Sequence, residues 1–196
     1  MRVRKSSRAV LAVVVASAAL AAAVPAQAAP DGPGEWLPLT NPSFNQPYLG
    51  TNNYQNVGAG SSAIPGRAVV RGDVDVESAK WAKTGSLSQA VSLNGNGQGA
   101  IVQAVPTTPG RRVEVTFRPG TETYSKCDTN LPLRLAVTAN GDSEVIFNPG
   151  RPDHDQPHWR LATYTFTASD RITHLGFESL VQGPCGAVLT DVTAEQ

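Results

Sequence analysis

Apolar residues alternate with polar ones through much of this chain. Arg112–Phe117 places Val113, Val115 and Phe117 on one side. Leu131–Val137 repeats the pattern with Leu131, Leu133, Leu135 and Val137, and Arg160–Ala168 sets Ala162, Tyr164, Phe166 and Ala168 against Thr163, Thr165 and Thr167. A period of two means a strand with one buried and one solvated face. Six further runs read as strands: Val69–Val76, Gln89–Leu93, Ala100–Val105, Ser143–Phe147, Ile172–Phe177 and Ala187–Thr193. No window repeats apolar residues at helical spacing over three turns.

Turn signals stand between the runs: Pro109-Gly110, Pro119-Gly120, Asn140-Gly141, Pro149-Gly150 and Gly183-Pro184. Asn140-Gly141 is the strongest hairpin signal, because both residues tolerate a positive φ. Eight to nine short strands at this spacing predict an all-β, antiparallel β-sandwich or jelly roll.

The N-terminus follows another logic. Arg2, Arg4, Lys5 and Arg8 precede a 15-residue stretch, Ala9–Ala23, whose one polar member is Ser17. Ala26-Gln27-Ala28 then supplies a small-x-small cleavage signature, so residues 1–28 read as a secretory signal peptide. The stretch is short for a bilayer span, which needs roughly 20 apolar residues. Residues 29–40 read as a flexible lead-in and 41–196 as one domain, secreted and without a membrane anchor. The C-terminal Ala194-Glu195-Gln196 carries no sorting motif, so no wall anchor is expected.

Four of the 16 basic residues lie in the first 28 positions and all 16 acidic ones lie beyond, so residues 29–196 carry a net charge of −4. That sign argues against nucleic acid and anionic lipid as partners. Cys127 and Cys185 form an even pair in an exported chain, most simply a disulfide. The rival is a thiol nucleophile served by one of the three histidines.

A series of short motifs runs in a distinctive order. Asn41-Pro42-Ser43-Phe44-Asn45-Gln46-Pro47 comes first, then Ile64-Pro65-Gly66, Gly72-Asp73-Val74-Asp75-Val76 and Trp81. Gln89–Gly95, Gly99–Gln103, Thr107-Thr108-Pro109-Gly110, Trp159, Tyr164–Ala168 and Phe177-Glu178-Ser179 follow. From about Asn41 to Val192 this order resembles the bacterial choice-of-anchor C proteins and their plant cell-wall relatives, known as domain of unknown function 642. The resemblance implies a galactose-binding-like β-sandwich in contact with extracellular polysaccharide. Cys127 and Cys185 sit where the plant relatives carry cysteines, which supports pairing them.

Three departures stand out. Phe44-Asn45 replaces Phe-Glu, Thr190-Asp191 replaces Asp-Asp, and Ile64-Pro65-Gly66-Arg67 replaces Ile-Pro-Gly-Trp. In related sandwich modules, acids near the first and last strands help hold a structural calcium, a role that would fall here to Asn45 and Asp191. One amide and one carboxylate make a weakened set for a hard cation that prefers six to eight oxygens.

Sugar binding requires flat aromatic faces ringed by hydrogen-bonding groups. Trp81, between Lys80 and Lys83, is either a platform or a plug at one end of the sandwich. Tyr54 and Tyr124, in polar surroundings, are candidate contacts with Asp75, while Trp159 reads as a core residue. Asp153, His154, Asp155 and His158 gather metal-ligating types in a loop broken by two prolines, which reads as a solvated loop. Asp73, Asp75 and Glu77 share one strand face, as a glycosidase pair could, although a solvated strand face is the favoured reading. No nucleophile elbow or zinc-hydrolase motif is present, and Gly95–Gly99 lacks the lysine and helix of a phosphate loop.

The sequence thus points to a non-catalytic module binding cell-wall polysaccharide through Trp81, Tyr54, Tyr124 and Asp75. The alternatives are a protein-interaction module acting on an extracellular cell-wall enzyme and, less so, a glycoside hydrolase.

Overall fold

The computed structural model describes residues 34–51, 53–85 and 88–196, so residues 1–28, expected to be a signal peptide, lie outside the described residues. Eleven strands are found among the described residues: β1 Tyr54–Gly58, β2 Ala68–Arg71, β3 Asp73–Glu77, β4 Ala90–Ser92, β5 Ala100–Pro106, β6 Arg112–Thr121, β7 Leu133–Ala139, β8 Asp142–Gly150, β9 Ala162–Thr167, β10 Ile172–Ser179 and β11 Ala187–Glu195. They form two antiparallel sheets, one ordered β1-β3-β4-β11-β6-β9 and the other β2-β5-β10-β7-β8. The antiparallel β-sandwich expected from the alternation is the fold.

All nine expected runs contribute strands, and two events raise the count to eleven. Val69–Val76 is not one strand but two, β2 and β3, divided at Gly72 and placed in different sheets. Gly72 has φ +54°, and a side chain there would collide with the Gln98 carbonyl, so the break needs glycine. The other addition is β1, whose single buried residue, Val57, gives too weak an alternation to detect.

The Asn140-Gly141 hairpin forms as expected, with φ 54° and 78° and Ala139 opposite Asp142. Pro119-Gly120 and Pro149-Gly150 do not turn; they lie inside β6 and β8. At Gly120 the reason is packing, since a β-carbon there would press into the Trp159 ring and the Pro157 carbonyl. Trp159 itself sits outside the main core. It is partly buried against Ala82, Ala90 and Val188, and its indole Nε1 donates to the Lys83 carbonyl at 3.2 Å.

The main core fills the space between the sheets with Val74, Val76, Val113, Val115, Phe117, Leu135, Val137, Tyr164, Leu175, Phe177 and Leu189. Phe117 of β6 meets Phe147 of β8 and Phe177 of β10 edge-on, with centroids 5.0 and 5.2 Å apart, joining the two sheets. One cation is also buried. Arg67, 6% exposed, lies over the Phe44 ring and donates to the carbonyls of Thr40 and Asn41 at 3.0 and 2.7 Å. Burial lowers its pKa to about 10.

Ordered pairing begins within the segment read as a lead-in. Glu35 and Gln196 exchange backbone hydrogen bonds of 2.8 and 3.0 Å, Leu37 N–H donates to the Ala194 carbonyl, and Leu37 joins the core.

Candidate functional site

Strand β3 positions the site. Its inward residues, Val74 and Val76, are fully buried, so Asp73, Asp75 and Glu77 emerge together on the outer face of the six-stranded sheet. Register does the rest. On one side Tyr54 lies opposite Glu77 and Asn56 opposite Asp75; on the other, Ala90 faces Glu77 and Ser92 faces Asp75.

Three connections wall this face into a cleft of about 480 Å³. Trp81 arrives from the turn after β3, Tyr124 and Lys126 from the β6–β7 loop, and Pro184 from the β10–β11 loop. The last two loops are joined by the Cys127–Cys185 disulfide, with Cα atoms 5.7 Å apart, which settles the cysteine pairing. Asn94 anchors the same region from inside, donating to the carbonyls of Val181 and Gly183 at 2.9 and 2.5 Å.

All four residues expected to contact a ligand line this one cleft. Tyr54 and Trp81 pack ring against ring, with centroids 5.0 Å apart and planes tilted by 42°. Trp81 is half-buried and Tyr54 is 48% exposed, so Trp81 is no interior plug, and both rings remain available at the surface. Tyr124 faces the same cleft, and the Lys126 ammonium sits 5.9 Å from its ring centroid. Asp75 accepts from Asn56 Nδ2 at 2.8 Å.

Sequence reasoning missed the floor. Glu122 is 4% exposed; it accepts from Ser92 Oγ at 3.1 Å and from the N–H groups of Thr123 and Tyr124 at 2.9 and 3.0 Å. Glu77 is also 4% exposed and lines the cleft, yet its carboxylate accepts no hydrogen bond from a described residue. Glu77 was legible as part of an acidic strand face. Glu122 had no signal, because its burial depends on Ser92 of a distant strand and the backbone of the following loop closing around it.

Burial pushes the Glu77 carboxyl well above its ordinary range, and the neighbouring Glu122 and Asp75 push it further. Burial likewise raises Glu122, against the opposing pull of its three donors. Asp75 is raised by burial, with Asp73 adding and Asn56 opposing. Burial also acts upward on Asp73, but hydrogen bonds from Asn96, Gly97 and Asn56 outweigh it and hold the carboxyl low. Those bonds pin the β4–β5 turn at the rim of the cleft, with Asn96 Nδ2 at 2.6 Å.

The three raised acids have a consequence for stability. Below the ordinary glutamate value of 4.5, folded and unfolded chains hold the same protons. As pH rises past it the unfolded chain releases them first, so the fold holds more protons and loses stability toward neutrality. The melting temperature is therefore expected to be higher at pH 5 than at pH 8. Glu77→Gln should raise it by a few degrees at pH 8 and flatten the profile, as calorimetry across that range will show. An unchanged profile in the variant would count against a strained Glu77.

The remaining sequence candidates are occupied otherwise. Asn45 Oδ1 accepts from Gln89 N–H at 2.9 Å, and the Asp191 carboxylate lies 3.6 Å from the Arg118 guanidinium. Each of the two thus has a protein partner, and together they supply two of the six to eight oxygens that calcium prefers. His158 pairs with Asp153 at 2.8 Å, while His154 Nε2 lies 3.0 Å from the Cys127 carbonyl, so that loop braces the disulfide. No group of three His, Cys, Asp or Glu among the described residues is arranged to hold a metal ion.

Comparison with known proteins places the fold in context. Among solved structures the chain is similar to a CBM4 module, at 17% identity and TM-score 0.46, over 81% of this chain and 100% of that one. It is similar to TmCBM61 in complex with β-1,4-galactotriose, at 14% identity and TM-score 0.45, over 80% and 95%. It also resembles exo-β-1,3-galactanase from Phanerochaete chrysosporium, at 16% identity and TM-score 0.43, over 74% of this chain and 29% of that one. A curated relative, halomucin of Haloquadratum walsbyi (strain DSM 16790 / HBSQ001), is 29% identical over 150 residues; the match takes in 74% of this chain and 2% of that protein's length. Residues 37–195 match the model of the family described as protein of unknown function (DUF642), and the chain belongs to that family.

Proposed function

We propose that the protein is a secreted, non-catalytic module that binds cell-wall polysaccharide in the cleft between Trp81, Tyr54 and Tyr124. The observation that carries this reading is the meeting of three surface-reaching aromatic rings over a hydrogen-bonding floor in one cleft. Rings of this kind stack on the apolar faces of sugars, and Asp75, Asn56 and Asn96 offer partners for hydroxyls. Such a site remains wet, so affinity for a single chain is modest.

The test is retention of the oxidised protein on insoluble cellulose, chitin, xylan, pectin and peptidoglycan, with Trp81→Ala alongside. Selective retention by one polymer, reduced about tenfold or more in the variant, is the expected result. A chelator in a parallel arm should change nothing, given the donor set at Asn45 and Asp191. Equal retention of both proteins would remove the cleft from the account.

One observation favours a second reading. Asp75, Glu77 and Glu122 bring three carboxyl groups to the same cleft, the raw material of glycoside hydrolysis. Release of reducing sugar from any of the five polymers would establish the hydrolase; binding without product leaves the module.

A further inference from the structure

The acidic floor carries the argument further, and it rests on the reading of the cleft as a sugar site. Neutral sugars need hydrogen-bonding groups, but they do not need a nearly buried carboxyl group that takes no hydrogen bond from the described residues. Glu77 is such a group: 4% exposed, lining the cleft and free of any hydrogen bond from a described residue. Among the described residues, Glu122 and Asp75 beside it have donors and Glu77 has none. In so dry a place the charged form of Glu77 is costly, and a cation with N–H donors would stabilise it. The walls suit the same guest, because the faces of Trp and Tyr attract ammonium groups. The protein already sets one there, with Lys126 Nζ near the Tyr124 ring at the rim.

We infer that the cleft selects a cationic polysaccharide, seating the protonated amine of a 2-amino sugar on Glu77 between the rings of Tyr54, Trp81 and Tyr124. The carboxylates of Asp75 and Glu122 add attraction, and Lys126, exposed at the rim, is the one opposing charge among the residues lining the cleft. The tyrosines Tyr54 and Tyr124 face the same space, and β4 contributes Ala90 and Ser92, which do not titrate. Burial biases Glu77 toward its protonated form in the empty cleft, so seating an ammonium group there favours the carboxylate and releases protons to solvent. A uronic acid polymer would meet the same carboxylates as repulsion.

Isothermal titration of the oxidised protein at pH 6 and low salt tests this with five probes: glucosamine hexamer, N-acetylglucosamine hexamer, cellohexaose, galacturonic acid hexamer and oligolysine. Glucosamine hexamer is expected to bind at least tenfold tighter than either neutral hexamer, with galacturonic acid weakest. Titration in buffers of different ionisation enthalpy should show proton release on binding. Glu77→Gln should weaken the glucosamine hexamer about tenfold and abolish that release, while its melting temperature confirms the fold. Lys126→Ala should strengthen binding by about threefold. Neutral hexamers that bind as tightly as glucosamine hexamer would overturn the inference and leave the sugar module standing. Glucosamine binding indifferent to Glu77→Gln would overturn it too, as would oligolysine binding tighter than the sugar. If none of the sugars binds, the reading of the cleft as a sugar site falls with it.

Discussion

Reduction of the Cys127–Cys185 bond will lower the unfolding midpoint by about 8–16 °C and loosen the walls of the cleft. The two cysteines are 58 residues apart in the sequence. Closing a loop of that size removes denatured-state entropy worth about 4 kcal/mol in the chain-entropy model. In a chain of this length each kcal/mol shifts the midpoint by about 2–4 °C. The loosening of the cleft has a separate origin. The bond ties the loop bearing Tyr124 and Lys126 to the loop bearing Pro184, so reduction frees two walls of the cleft together. Differential scanning calorimetry with and without reductant reads the first effect, and titration of oligosaccharide below the new midpoint reads the second. A midpoint that moves by less than about 3 °C would show that sheet packing alone holds these loops.

The second large effect belongs to the core. Phe117→Ala is expected to destabilise the fold by about 3–5 kcal/mol, the range for deleting a buried phenyl ring. Phe117 is fully buried and meets Phe147 and Phe177 edge-on across the gap between the sheets. Its loss therefore removes two aromatic contacts and leaves a cavity where the layers join. Chemical denaturation at pH 6 measures the cost. Phe117→Leu, which retains most of the volume, should recover more than half of it. If alanine and leucine cost the same, the aromatic pairing would matter more than the filled space. In either variant the outward residues of β3 retain their register, so the remaining folded fraction should bind as the parent does.

Much of this architecture was legible because each strand has a dry and a wet side. Val113, Val115 and Phe117 announce β6 without any knowledge of their partners, and Asn140-Gly141 announces its hairpin through backbone freedom alone. The misread segments share a cause. Pro119-Gly120 carries turn chemistry, but its glycine is needed to admit Trp159, a residue 39 positions away. Trp159 in turn was assigned to the interior, although the bare backbone at Gly120 lets it lie on the outer face. At the candidate site, Trp81, Tyr54, Tyr124 and Asp75 could be named from side-chain chemistry, and the pairing of β1 with β3 brings Tyr54 next to Glu77. Glu122 could not be named, since nothing local distinguishes a carboxylate that the distant Ser92 will meet inside the fold from one that water will solvate.

The short ladder joining Glu35–Leu37 to Ala194–Gln196 also has a mechanical meaning. Glu35 and Gln196 lie side by side at its open end, so a pull applied at these two residues acts across the strands rather than along them. In that geometry the hydrogen bonds carry load one after another, as in a zipper, and each yields at low force. Tension would peel Leu37 from the core first. Within the same sheet β4 lies between β3 and β11, the strand to whose end the ladder adds, so the cleft would keep its shape while the ladder gave way.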